Sequence, residues 1–298
     1  MDVFLNGKML PPDEAKISFD DAGLQHAVGL FETMNACHGR VFRLRQHLQR
    51  LASSAAELGL VRKLELDPLA EAVENVIRHN RIDRARIRLT LTAGSLSLLS
   101  EGSPAHAQPT LLIVPTEPTA YAPAYFEDGI TVLVAPPGAN PFDQLAGHKT
   151  LSYWGRLRTL RQAAAAGAGE AIWLNVSNHL ASGAVSNLFL VEDGELITPF
   201  ARGEEAEGAL PAPVLPGITR AAVIELAEAM GVTVHKRMLS VADLLDADEA
   251  FLTNSSWLVL PVSKVEQKAL GAGKAGPVTR ELRRKLLATV EKECSGSE

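Results

Sequence analysis

The sequence has two cysteines, Cys37 and Cys294, far apart and without any C-x-x-C spacing. Neither a disulfide framework nor a zinc site is indicated by that count, and a reducing compartment, the cytoplasm, is the expected setting. No run of 18 apolar residues occurs, and the opening MDVFLNGKML places Asp2, Asn6 and Lys8 where a signal peptide needs an apolar core. The expectation is a chain with no membrane span and no simple secretion signal. Excess positive charge is lacking too: 29 Lys and Arg stand against 35 Asp and Glu, for a net charge of −6. Nothing therefore favours nucleic acid as a partner. The eight histidines form no H-E-x-x-H or paired spacing and no G-x-S-x-G occurs, so zinc hydrolysis and nucleophile-elbow chemistry find no support and no metal is expected.

What is present is ordinary globular material, 298 residues of which 46% are hydrophobic and 21% charged. That length exceeds what one core usually holds, so two packed units are expected. VFLNGKML reads as a hairpin turning at Asn6-Gly7, and a second turn falls at His38-Gly39. Leu44, Leu48, Leu51, Ala55 and Leu58 share a helix face that ends at Gly59. Asp67-Pro68 reads as an N-cap followed by proline at the first helical position, opening a helix that buries Leu69, Val73, Val76 and Ile77. ARIRLTLTA (85–93) alternates as a half-exposed strand, with TLLIVP (110–115) beside it. Residues 117–129 carry Pro118, Pro123 and two tyrosines without periodicity and read as a linker. The division placed near residue 120 gives a small N-terminal α/β domain (1–120) and a larger C-terminal domain (121–298). In the latter, strands are expected at ITVLVA, EAIWLNV, NLFLV, ELIT, FLTNSS and WLVLPV, and helices around Leu157–Ala166, after Pro216-Gly217, and over PVTRELRRKLLATVEKE.

Two positions could carry chemistry. Lys149 follows the loop Leu145-Ala146-Gly147-His148 and precedes a helix; a lysine becomes a nucleophile when burial or a neighbouring cation makes its neutral amine available. A surface lysine fits the same local pattern. The helix starting near Thr219 offers unpaired backbone N–H groups behind Pro216-Gly217, with the Thr219 hydroxyl and the Arg220 guanidinium nearby, which suits a phosphate. A plain helix start fits equally well.

The order of motifs decides between these readings. GLQHAVGLFET (23–33), FRLRQHLQRLASSA (42–55), AGHKTLSYWGRL (146–157), SGAVSNLFLV (182–191), LPGITRAAV (215–223) and FLTNSSWLVLPV (251–262) resemble, block by block, the class IV aminotransferases. These are the fold-type-IV pyridoxal 5′-phosphate (PLP) enzymes, which include branched-chain and D-amino-acid aminotransferases and 4-amino-4-deoxychorismate lyase. The resemblance implies a two-domain α/β (α+β) architecture, with barrel-like β structure in the larger domain, PLP at the domain junction, and a homodimer. It implies that Lys149 holds PLP as a Schiff base and that Arg50 contacts the phosphate. Gly217, Ile218 and Thr219 would form the phosphate-binding turn, with Ser255 as a second contact. Ser186 and Asn187 would precede the strand that passes the ring. Phe31 and Glu32 would lie on the substrate side, and Asn254 and Ser256 on the turn beside the substrate carboxylate.

Two places depart from the family: Ala93-Gly94 stands where the D-amino-acid enzymes show an arginine for the substrate carboxylate, and the more important departure concerns the cofactor. A glutamate that pairs with the ring nitrogen of the cofactor is replaced by Ser182, which cannot hold a proton there by charge. The leading expectation is transfer of an amino group between a small amino acid and a 2-oxo acid. Elimination releasing pyruvate, as in the lyase, is the alternative, supported by Ser182 and Asn254. A third reading is a PLP-binding protein with weak or lost catalysis.

Overall fold

The computed structural model describes residues 1–95 and 108–296. Two compact units emerge from its contacts: Met1–Thr119 with His148–Ser152 and Val290–Glu298, and Ala120–Gly147 with Tyr153–Thr289. The change of unit at Thr119–Ala120 falls where the division near residue 120 is expected. The Lys149 segment and the C-terminal end, expected in the second domain, pack with the first.

The first unit comprises β1 (Val3–Leu5), β2 (Lys8–Leu10), α1 (Ala22–His26), β3 (Gly29–Cys37), β4 (Arg40–Val41), α2 (Leu44–Glu57), α3 (Leu66–Asn80), β5 (Ala85–Thr92) and β6 (Leu111–Thr116). Its six strands pair antiparallel in the order β2-β1-β6-β5-β3-β4. Both tight turns use consecutive left-handed residues, Asn6 and Gly7 at φ 47° and 90°, His38 and Gly39 at φ 50° and 71°. That backbone matches the strand twist, which is why Asn-Gly and His-Gly occupy those places. Met34, Ile87 and Leu89 pack with Leu48 and Leu51 of α2 and with Val73 and Val76 of α3 to form the core. The α3 start differs from expectation: Glu65 is the cap, and Asp67 and Pro68 lie within the first turn. Proline is tolerated there because its missing N–H would have no partner in the helix.

The second unit comprises α4 (Ala124–Glu127), β7 (Ile130–Val134), α5 (Trp154–Ala165), β8 (Glu170–Leu174), β9 (Leu180–Gly183), β10 (Asn187–Glu192), β11 (Glu195–Thr198), α6 (Ile218–Ala229), β12 (Val234–Lys236), α7 (Val241–Asp246), β13 (Glu249–Asn254), β14 (Leu258–Val265), β15 (Lys268–Ala269) and α8 (Pro277–Ser295), the last running into the first unit from Val290. Its nine strands form a curled, mixed sheet, parallel at β11-β12, β14-β7 and β7-β8 and antiparallel elsewhere. Buried Val132, Ile172, Leu188, Leu252 and Val262 fill its core. The barrel-like β structure expected of the larger domain is thus present. Helices α1, α4 and α7 and strands β9 and β12 have no periodicity long enough to be read from sequence. No helix among the described residues is long and apolar enough to cross a membrane.

Candidate active site

In the first unit, strand alternation separates two residues that are adjacent in sequence. Leu30 and Met34 of β3 join the helix-side core, so Glu32 shares their face and Phe31 takes the other. On the helix side, Glu32 is 1% exposed and accepts from Arg50 Nε at 2.8 Å and Nη2 at 2.6 Å, while His47 Nδ1 lies 2.8 Å from its Oε2. Burial by itself would raise the Glu32 carboxyl, but the Arg50 charge and the His47 and Arg50 hydrogen bonds outweigh it and hold it down at about 2. Burial, with the Arg50 and Lys149 charges, lowers His47 against the opposing pull of Glu32, so its ring is neutral at pH 7. Glu32, expected on the substrate side, holds the Arg50 guanidinium in place. Arg50 in turn is an anchored arginine of α2, not a solvated one.

The opposite face holds the lysine. Phe31 N donates to the Lys149 carbonyl at 2.9 Å, Leu151 N donates to the Gly29 carbonyl at 2.9 Å, and Leu30 bridges Thr150. The Lys149 segment therefore runs as a short extra pairing on β3. Gly29 permits the approach, since a Cβ there would sit 2.7 Å from both Leu151 Cδ1 and the Leu91 carbonyl. Lys149 Nζ lies 4.5 Å from the Phe31 ring centroid, and the Arg88 guanidinium lies 3.9 Å from the same centroid. Two cations and a buried aromatic ring thus share one spot. Arg88 escapes the sequence reading, although its signal is there: a long cation on the half-exposed side of β5, where Ile87 and Leu89 turn to the core.

In the second unit, α6 opens at Gly217 with no side-chain cap and no acid in its first turn. Its first N–H groups are suited to an anion. Asn187 prepares this end: its Nδ2 donates to the Leu215 carbonyl at 2.9 Å, and its Oδ1 would lie 2.0 Å from a Cβ at position 217. Only glycine fits against it. Ile218 is partly exposed and Thr219 buried at this end, and Ser255 is partly exposed on the β13-β14 turn. Arg220 does not serve an anion. It is 3% exposed and forks onto Glu204 at 2.8 and 2.7 Å. Burial favours the protonated Glu204 carboxyl, but hydrogen bonds from Arg220, Lys236 and the Ala201 N–H outweigh it and bring it to about 2.

The turn after β9 is held from two sides. Glu170 of β8, fully buried, accepts from the N–H groups of Ala171, Ala184 and Val185 and from the Ser186 hydroxyl at 2.9–3.2 Å. Burial raises the Glu170 carboxyl above its ordinary value, against those four donors. Ser186, expected to contact the cofactor, spends its hydroxyl on Glu170. Ser182 is 3% exposed and donates to the Gly183 carbonyl at 2.9 Å. Asn254, expected beside substrate, is a turn former: its Oδ1 accepts from Ser256 N and Trp257 N, and its Nδ2 donates to the Val185 carbonyl. The Ser256 N–H is used within that same turn. Among the described residues no group of three His, Cys, Asp or Glu is arranged to hold a metal.

The family model described as Amino-transferase class IV matches residues 29–265. A putative branched-chain-amino-acid aminotransferase of Methanocaldococcus jannaschii is 31% identical over 287 residues, covering 96% of this chain and 95% of the relative. The crystal structure of a T.th. branched-chain amino acid aminotransferase with pyridoxamine 5′-phosphate superposes with a TM-score of 0.88 at 27% identity, covering 99% of this chain and 96% of that one. A putative 4-amino-4-deoxychorismate lyase from Legionella pneumophila superposes with a TM-score of 0.80 at 26% identity, covering 94% of this chain and 97% of that one.

Proposed function

We propose that this chain, which belongs to the class IV aminotransferase family and is a PLP-dependent enzyme, transfers an amino group between a small amino acid and a 2-oxo acid with Lys149 as its catalytic residue. The observation that carries the assignment to Lys149 is its fixation against β3, with Nζ held over the Phe31 ring in company with Arg88. Neighbouring cations are the setting in which a lysine amine acts as nucleophile and base.

The residues present fit the cofactor. An uncapped helix of twelve residues, opened by a glycine whose Cβ would displace the Asn187 amide, offers Ile218 and Thr219 N–H groups to a phosphate. Arg50, its plane fixed by Glu32, offers a guanidinium of the kind that binds phosphate. When bound, PLP supplies an aldehyde for the substrate amine and a ring that withdraws electrons from the substrate Cα. Lys149 Nζ would take the proton from Cα and return it, acting as base and then acid. Arg88, on the same aromatic ring, would attract a substrate carboxylate to the lysine. Phe31, itself buried, would present an apolar ring face beside the two cations.

The lyase alternative keeps its support from Ser182 and Asn254, and the acceptor dependence of the reaction separates the two. A homodimer and a cytoplasmic location belong to the same proposal.

The test uses protein reconstituted with PLP. An absorption band fixed by borohydride onto Lys149, absent in Lys149→Ala, together with keto acid formed from an amino acid panel only when a 2-oxo acid acceptor is supplied, supports the reading. Pyruvate released without acceptor overturns it in favour of elimination. A protein that binds no PLP overturns both.

A further inference from the structure

In the second unit a cation reaches the turn that carries Ser182, the position at which the resemblance implies an acid. Arg156 of α5 directs Nη1 at the Ser182–Ala184 turn, donating to Ser182 Oγ at 3.4 Å, the Gly183 carbonyl at 3.2 Å and the Ala184 carbonyl at 3.0 Å. Its guanidinium carbon lies 4.9 Å from the Trp173 ring centroid and 5.9 Å from that of Tyr153. Among the described residues no carboxylate pairs with it. The acid on the same turn is Glu170, and both its oxygens are taken by the Ala171, Ala184 and Val185 N–H groups and the Ser186 hydroxyl. The turn is therefore held from two sides, by the Glu170 carboxyl on its N–H groups and by the Arg156 guanidinium on its carbonyls and on Ser182.

We infer that Arg156, acting with Ser182, holds the ring nitrogen of bound PLP unprotonated. This rests on the proposed cofactor reading, in which Ser182 occupies the place of the glutamate that faces that nitrogen. The Ser182 hydroxyl proton is directed to the Gly183 carbonyl, and its oxygen faces Arg156. An arginine stays protonated throughout the range in which enzymes work, so it can donate to a pyridine nitrogen but never receive its proton. A fixed cation beside a basic nitrogen disfavours a second positive charge there. The replacement of an acid by Ser182 is then a reversal of sign and not a mere loss of charge. Its consequence is a cofactor that withdraws electrons less strongly from the substrate Cα, so that proton movement must lean more on Lys149.

A purely structural clamp would give Arg156 the same contacts, so the test reads the nitrogen itself. Holoenzyme is prepared with PLP carrying ¹⁵N in the ring, and the ring-nitrogen chemical shift is followed from pH 6 to 9, with borohydride fixation on Lys149 as a control. The wild type should show the shift of a neutral pyridine throughout. Arg156→Met should raise the pH at which the nitrogen protonates, and Ser182→Glu combined with Arg156→Met should move the signal to the pyridinium position. A pyridinium signal in the wild type overturns the inference, and needs no variant to be stable. An unchanged titration in folded, PLP-loaded Arg156→Met shows a clamp only and also overturns it. If borohydride fixes no PLP on Lys149, the failure is of the functional reading and not of the sign argument.

Discussion

Glu32→Gln isolates the ion cluster that sets Arg50. The wild-type carboxylate receives Arg50 Nε and Nη2 at 2.8 and 2.6 Å and lies 2.8 Å from His47 Nδ1, while Glu32 and His47 are 1% and 2% exposed. Its folded pKa lies at about 2 against an ordinary 4.5. At about 1.4 kcal/mol per unit, the favoured ionised form contributes on the order of 3 kcal/mol to stability at pH 7. Removing one partner of a buried ion pair costs roughly 3–5 kcal/mol, which agrees. The folded pKa is depressed, so this stability is complete above the unfolded value and is lost as pH falls through the acid range toward about 2. The assay is urea unfolding of wild type and Glu32→Gln at pH 7 and pH 3.5. The difference should be about 3 kcal/mol at the first and about 2 kcal/mol at the second. A difference below about 1 kcal/mol at pH 7, or one that grows as the pH falls, would refute the reasoning. PLP titration of the same variant should show weaker binding, because Arg50 loses the carboxylate that aims it.

Gly217→Ala should weaken PLP binding more than it lowers stability, since the new Cβ would meet Asn187 Oδ1 at 2.0 Å and displace the turn before α6; equal PLP affinity in a titration would remove α6 from the phosphate reading. Cys37 is buried at 2% exposure, its thiol pushed up by burial and by its hydrogen bond to Cys294. Iodoacetamide at pH 8 should therefore label it only after unfolding, and mass spectrometry finding rapid labelling of the native protein would contradict that burial.

The elements legible in the sequence are those with long periods or forced turns. Asn6-Gly7 and His38-Gly39 demand left-handed backbone, and the apolar spacing of α2 and α3 exceeds what chance supplies. Strand β9 (LASG) is four residues of small side chains, and α7 is six residues behind the Ser240 capping box, too short for periodicity to register. At the site, the motif order points to Lys149, but what each of two neighbouring residues touches is not legible from their adjacency. Phe31 and Glu32 look like one polar-aromatic patch until the alternation of β3 sends them to opposite faces, where one meets Lys149 and the other meets Arg50. Asn254 closes its own turn by accepting from Ser256 N and Trp257 N, a role that sequence adjacency does not reveal.

Charge partners show the limit most clearly, because they depend on which side chains meet across the fold. Ser182 in the sequence registers only as an absent acid, which removes the charge that would hold a proton on the ring nitrogen without saying what charge stands nearby. Arg156 lies 26 residues away on another element, and nothing in the spacing ties it to β9. Once the guanidinium is found donating to the Ser182 hydroxyl and to the two carbonyls after it, the prediction acquires a direction: the nitrogen should resist protonation even as the pH falls toward 6. A sequence-based argument about an altered cofactor contact is therefore incomplete until the replacement's nearest charge is known, and here that charge has the opposite sign to the one the family motif implies.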